Sequence, residues 1–272
     1  MKKIGLALGG GGAKGLAHVP MLEILDELGV RPYRIAGTSI GAVVGALYAS
    51  GLSGARIREG VRKMVVSRRD TLREALRKTD ALKWFGFLDL EFGRRGLLKG
   101  DKFIEFLYGK MGVRTFEELK IPLRVVATDF NTAEQVLLDS GSLPDAIKAS
   151  MGLPGVFTPV ARAGRVLIDG GGVNPVPWDV LDDCDFVVAV DVMGDLDPAG
   201  PPVPNLFRAV LGTFDIMQKS IIAEKLRRAP PDLYIRPAVR GVDILDFRRA
   251  EDVFEMAAPA AQELKQALQR VL

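Results

Sequence analysis

The chain has 272 residues, 48% of them apolar, with 37 Lys and Arg against 34 Asp and Glu, one Cys and one His. That length buries a sizeable core without a disulfide or metal staple. A lone cysteine, Cys184, excludes an intramolecular disulfide and suits the cytoplasm, zinc sites are disfavoured, and a lone histidine excludes any mechanism that needs two.

In chain order, Lys3–Leu8 reads as a short buried strand that runs into four glycines, Gly9–Gly12. Met1-Lys2-Lys3 starts like an export signal, but the apolar stretch ends too soon for one. Ala13–Leu28 shows helical apolar spacing through Leu16, Val19, Leu22, Ile24, Leu25 and Leu28, and Gly29 stops it. Tyr33–Ala36 is a second strand, followed by a small-residue turn and a helix to about Ala49. Residues 35–55 carry no charge and reach membrane-spanning length, yet they are rich in Gly, Ser and Thr. They read as a turn and a buried helix.

Residues 53–118 are mostly helical and basic. Positions 56–110 hold 15 Lys and Arg against 8 Asp and Glu, beside an apolar cluster at Trp84, Phe85, Phe87, Leu88 and Leu90. Such a patch can face phospholipid headgroups, nucleic acid or an acidic partner, or be an ordinary solvated helix face. A mobile cap that touches anionic lipid is the expectation here. Pro122–Asp129 and Gln135–Asp139 read as a hairpin, Ser142–Ser150 as a short helix, and Val166–Ile168 as a strand entering Asp169-Gly170-Gly171-Gly172. Phe186–Val190 is another buried strand. A proline-rich link then precedes a long helix, about Asn205–Arg228, with Leu233–Ile235 and a closing helix from Ala250. Strands alternating with helices predict an α/β fold with a largely parallel sheet, in one domain over residues 1–272. The stretch at about 53–118 is its helical elaboration.

Gly10-Gly11-Gly12-Ala13-Lys14-Gly15 fits G-x-G-x-x-G between a strand and a helix. A dinucleotide fingerprint needs an acid about 20 residues on, and the second strand ends in Gly37-Thr38-Ser39 instead. A phosphate-binding P-loop needs Gly-Lys-Ser/Thr, which is absent. An oxyanion hole remains, with glycine N–H groups converging on an anion in the field of a helix N-terminus. A bare turn competes with it, although consecutive glycines carry an entropy cost that a simple turn would not demand.

Gly37-x-Ser39-x-Gly41 sits between a strand and a helix, the setting in which a sharp turn exposes a nucleophilic serine. A serine needs a base. No histidine follows Ser39, and His18 lies before it on the flank of a helical apolar stripe, where a packing role is the ordinary one. A carboxylate acting directly is the substitute. Asp129, Asp169 and Asp191 each end a predicted strand, and Asp169 stands out because Gly170, Gly171 and Gly172 leave room for substrate.

These motifs resemble the patatin-like phospholipase family: Gly10–Gly15 as the glycine loop, Gly37–Gly41 as the elbow, and Asp169-Gly170-Gly171 as its Asp-Gly-Gly motif. The stretches from Ala149 to Phe157 and from Asp232 to Pro237 are similar too, all in family order. The resemblance implies a lipid acyl hydrolase on a three-layer α/β/α sandwich, without metal or organic cofactor and with no role for nucleic acid. It implies Ser39 as nucleophile, Asp169 as base, Gly10, Gly11 and Gly12 as oxyanion donors, and Gly15, Gly37, Gly41, Gly170 and Gly171 as supports. Pro20 stands where that family often has glycine, so a bend in the first helix is expected. An acyltransferase or thioesterase on the same dyad, or a non-catalytic lipid- or dinucleotide-binding module, are the alternatives.

Overall fold

Near-continuous apolar strands form where a sheet is covered on both faces, and the strands at the start of the chain are of that kind. The computed structural model describes residues 2–64, 109, 112–194, 203 and 206–272. Its eight-stranded sheet comprises β1 (Ile4–Leu8), β2 (Arg34–Thr38), β3 (Leu123–Asp129), β4 (Gln135–Leu138), β5 (Val160–Arg162), β6 (Arg165–Asp169), β7 (Phe186–Val190) and β8 (Leu233–Ile235). The order is β5-β6-β3-β2-β1-β7-β8, with β4 paired to β3. From β3 through β2, β1 and β7 to β8 every pairing is parallel, as expected. β4, β6 and β5 add an antiparallel end; only the β3–β4 hairpin is foreseen in the sequence.

Alternation along β1 assigns the two faces. Ile4, Leu6 and Leu8 pack into the larger core, with α1 (His18–Glu27), α2 (Ile40–Ala49) and α3 (Gly54–Met64). α4 (Leu143–Ser150) and α6 (Ala250–Val271) complete that core. Ala7, Ala36 and Ala189 point the other way, under Trp178, Leu181 and Ile222 of α5 (Leu206–Arg228). The result is three layers, helices on both sides of one sheet. Ser39 opens α2, and that helix is buried almost throughout. Among the described residues no helix is long and apolar enough to cross a membrane.

The first helix differs from its expected form. Gly12–Ala17 is a 3₁₀ helix, and α-geometry begins only at His18. Pro20 therefore falls in the first turn of α1, where a backbone N–H has no intrahelical partner and its loss costs little. The helix type thus changes just ahead of Pro20.

Most of the basic stretch, including Trp84 to Leu90, lies outside the described residues. Three basic residues of α3 have partners inside the protein: Arg58 pairs with Glu23 at 2.5 Å and covers the Phe254 ring at 4.1 Å. Arg62 pairs with Glu251 at 2.8 Å, and Lys63 with Glu59 at 2.5 Å.

Register along β3 positions the site. Thr38, the last residue of β2, lies opposite Val126, and Asp169, the last of β6, lies opposite the next residue, Ala127. The residue after β2 is thereby delivered to the end of β6.

Candidate active site

Ser39 occupies φ 54°, ψ −124°, a left-handed backbone that a non-glycine residue adopts only when its surroundings impose it. Its neighbours make that turn possible. A Cβ on Gly41 would stand 2.1 Å from the Leu8 carbonyl oxygen, and one on Gly37 would meet the Ala42 backbone at 2.6 Å. Both positions need glycine because the start of α2 presses directly on β1 and β2. The serine sits at the N-terminus of α2, in the favourable field for a developing anion.

Ser39 Oγ donates to Asp169 Oδ2 at 2.7 Å. Asp169 is buried, and its Oδ1 accepts from the Gly171 N–H at 2.8 Å. Its backbone is fixed as well: the N–H donates to the Gly152 carbonyl at 3.1 Å, and the carbonyl accepts from Thr128 Oγ1 at 2.8 Å. Burial raises the Asp169 pKa from 3.8 to about 6, against the lowering effect of the hydrogen bonds from Ser39 and Gly171. Among the described residues no cation pairs with it. A carboxylate of that kind is ionised at neutral pH yet basic enough to take a proton from a serine. Gly170 is needed sterically, since a Cβ would lie 2.3 Å from the Val126 carbonyl oxygen; one on Gly171 would lie 2.7 Å from Gln218 Oε1 of α5, the end of a side chain that can move aside.

The glycine loop lies beside the elbow, since a Cβ on Gly10 would be 3.4 Å from the Ser39 Cβ. One expectation needs correction. The Gly10 N–H donates to the Pro175 carbonyl at 2.9 Å, so it is already spent. Gly11 and Gly12 are the loop residues whose N–H groups meet no backbone acceptor among the described residues. Gly12 has φ 56°, and a Cβ there would lie 2.2 Å from the Ile244 carbonyl oxygen. Gly15 is required by Ile40, whose side chain comes within 2.2 Å of the position of such a Cβ.

His18 is fully buried, and its Nε2–H donates to the Gly9 carbonyl at 2.8 Å. Burial lowers its pKa from 6.5 to about 4, so the ring is neutral. The Gly9–Gly10 peptide is thus held on both sides, carbonyl by His18 and N–H by Pro175. Lys14 is directed inward, its Nζ on the Met193 carbonyl at 2.8 Å and 3.6 Å from Asp215. That placement answers a packing need rather than phosphate binding.

The other two strand-end aspartates are committed elsewhere. Asp129 Oδ1 accepts from the Asn131 N–H at 3.0 Å. Asp191 accepts from the Met193 N–H at 2.9 Å and from the Tyr234 hydroxyl at 2.5 Å. Sequence reasoning missed Ser150, whose hydroxyl accepts from the Ser39 N–H at 2.8 Å. It lies inside the Ala149–Phe157 stretch, but a serine closing a short helix carries no signal of its own.

Comparison with known proteins supplies the family. An uncharacterized NTE family protein of Mycobacterium tuberculosis is 34% identical over 75% of this chain and 53% of its own length. Lysophospholipase NTE1 of Candida glabrata is 28% identical over 97% of this chain and 16% of its own length. The chain spans about half the length of the first of these relatives, and less of the second. Among solved structures, VipD from Legionella pneumophila aligns at a TM-score of 0.49 and 15% identity, over 98% of this chain and 67% of its own. The description Patatin-like phospholipase matches residues 6–182, a range that holds the glycine loop, the elbow and Asp169. On that match the chain belongs to the patatin-like phospholipase family.

Proposed function

We propose that the protein is a lipid acyl hydrolase that cleaves carboxylic esters of lipids with Ser39 as nucleophile and Asp169 as base. The observation that carries the reading is the 2.7 Å hydrogen bond from the Ser39 hydroxyl to a buried carboxylate with a raised pKa. Asp169 Oδ2 takes the proton as Ser39 Oγ attacks the ester carbonyl. The tetrahedral oxyanion is met by the N–H groups of Gly11 and Gly12 and by the positive end of α2. As the intermediate collapses, the leaving alcohol carries away the proton from Asp169 and an acyl-enzyme remains. Asp169 then accepts a proton from water as the water oxygen attacks the acyl carbon; when this second intermediate collapses, the bond to Ser39 Oγ breaks, Oγ takes that proton back from Asp169, and the fatty acid is released. Each oxyanion donor of this kind is worth roughly 2.7–4 kcal/mol in serine hydrolases, which makes the loop a major contributor.

Neither a metal nor an organic cofactor has a role in this chemistry. The family and the name lysophospholipase on one relative support a lipid ester as substrate. The net positive charge of residues 56–110 supports peripheral contact with an anionic membrane from the cytoplasmic side.

The test is a lipid panel read as free fatty acid, with Ser39→Ala as control and a fluorophosphonate label to report an activated serine. Fatty acid release and labelling that both vanish in Ser39→Ala are expected. Acyl transfer to an added alcohol in place of release would make the chain an acyltransferase. An unlabelled wild-type chain would make it a binding module.

A further inference from the structure

The Ser39 N–H lies against Ser150, not against the loop. Ser150 is the last residue of α4 and is wholly buried, and its hydroxyl is used twice. It accepts from the Ser39 N–H at 2.8 Å and donates to the Val126 carbonyl of β3 at 2.6 Å. The same Val126 oxygen is the atom that a Cβ on Gly170 would strike at 2.3 Å. Elbow, α4 and the turn after β6 therefore meet at one carbonyl. Two residues further on, the Gly152 carbonyl accepts from the Asp169 N–H at 3.1 Å. Gly152 itself has no room for a side chain larger than hydrogen without displacement, since its Cβ would lie 3.1 Å from the Ala149 oxygen and 3.2 Å from the Ile168 Cα. The segment Ser150–Gly152 thus holds the backbone N–H of both dyad residues.

We infer that Ser150 is the positioning residue of the dyad: its hydroxyl fixes the left-handed backbone of Ser39, so that Oγ faces Asp169. The inference rests on the dyad reading above. The argument is one of geometry and satisfaction. A serine at φ 54° is held only if its surroundings over-determine it, and its N–H is the group best placed to do so. Without the Ser150 hydroxyl, the part-buried Ser39 N–H loses this partner and the Val126 carbonyl loses a buried donor. The elbow then relaxes, and small displacements of a nucleophile are costly in rate.

The experiment compares Ser150→Ala, Ser150→Thr and wild type in ester hydrolysis and in the rate of fluorophosphonate labelling at Ser39, each normalised to folded protein. Ser150→Ala is expected to lower kcat and the labelling rate together, by about 10–100-fold, with KM within about twofold. Ser150→Thr, which restores the hydroxyl, is expected to recover most of both. Ser50→Ala is the control, because the Ser50 hydroxyl bonds the Leu47 carbonyl at 2.7 Å far from the elbow, and it should leave both rates unchanged. Should Ser150→Ala fail to fold, Ser150→Cys carries the test, keeping size but only a weak donor; an intermediate loss is expected. A folded Ser150→Ala or Ser150→Cys with wild-type kcat and labelling would overturn the positioning role and leave the dyad standing. A wild-type chain that takes no label would overturn the dyad, and the positioning role with it.

Discussion

The ends of β6 and β7 are built alike up to the last carboxylate oxygen, and they differ in what that oxygen meets. At each, a buried aspartate turns one oxygen to the backbone N–H two residues on: Gly171 to Asp169 at 2.8 Å, Met193 to Asp191 at 2.9 Å. The second oxygen of Asp191 accepts from the Tyr234 hydroxyl at 2.5 Å and has Arg236 Nε at 3.8 Å. The second oxygen of Asp169 accepts from Ser39 and has no ion-pair partner among the described residues. Burial and Asp191 push the Tyr234 hydroxyl pKa up, so this phenol keeps its proton and offers no nucleophile. An aspartate with a cation and a tyrosine ties a sheet edge together. The same aspartate, left with only a serine and an N–H, is free to act as the base proposed above.

The sharpest way to break the comparison is to make the same change at both ends. Asp169→Asn is nearly isosteric but cannot accept the proton, and kcat/KM is expected to fall about 10⁴-fold, the scale seen when a triad carboxylate elsewhere is amidated. Asp191→Asn should keep kcat per folded molecule within about threefold while costing about 1–3 kcal/mol of stability from the impaired Tyr234 bond. Steady-state kinetics and denaturant unfolding of both variants decide it. Equal loss of activity in the two would remove the distinction.

Stability should move in opposite directions. The folded Asp169 carboxyl titrates near about 6, above its ordinary 3.8, so its ionised form weighs against the fold once the pH is above that window. Asp169→Asn is therefore expected to be more stable than wild type above pH 6. The gain is of the order of 3 kcal/mol at most, at about 1.36 kcal/mol per pKa unit, and vanishes below about pH 4. A chemical-denaturation series from pH 4 to 8 shows whether the gain appears with that sign.

The same shift sets the rate profile. Because the base must be ionised, kcat/KM should rise with pH through about 6 and level off above it. An unperturbed aspartate would keep its basic form far into the acid range, and that is what the sequence alone leads one to expect. With burial, the acid limb falls near the ordinary histidine value, and pH dependence no longer separates the two kinds of base. A limb near 4 in kcat/KM would mean that burial does not raise the Asp169 pKa in the free enzyme.

The elbow was legible because a serine between glycines, set between a strand and a helix, has few other uses. Asp169 was legible through the glycines after it, although not for the reason strand ends suggest: β6 is antiparallel, and pairing with β3 beyond Thr38 brings Asp169 to Ser39. What the sequence hides is who takes up each backbone group. The Gly10 N–H is spent on Pro175, and the Ser39 N–H on Ser150, partners that only the fold brings close. β5, three residues long, is too short for any alternation to show.

The smallest effect on activity is expected at His18. Its imidazole reaches the Gly9 carbonyl, two steps from the reacting atoms, and stays neutral because burial holds its pKa near about 4. Gln can donate to the same carbonyl, so His18→Gln should keep most of the hydrolysis. Its signature lies in stability instead. As pH falls, the unfolded chain protonates this histidine near 6.5 and the folded one only near about 4, so wild type loses stability across that window and no further below it. The loss amounts to about 3 kcal/mol at 1.36 kcal/mol per unit, partly offset between 6 and 4 by Asp169, which gains a proton more readily folded than unfolded. The readout is therefore the difference between wild type and His18→Gln at each pH, in which the Asp169 contribution cancels. That difference should grow from pH 6.5 down to 4 in favour of the variant. A folded His18→Gln as inactive as Ser39→Ala, with a flat difference, would instead put the imidazole in the reaction.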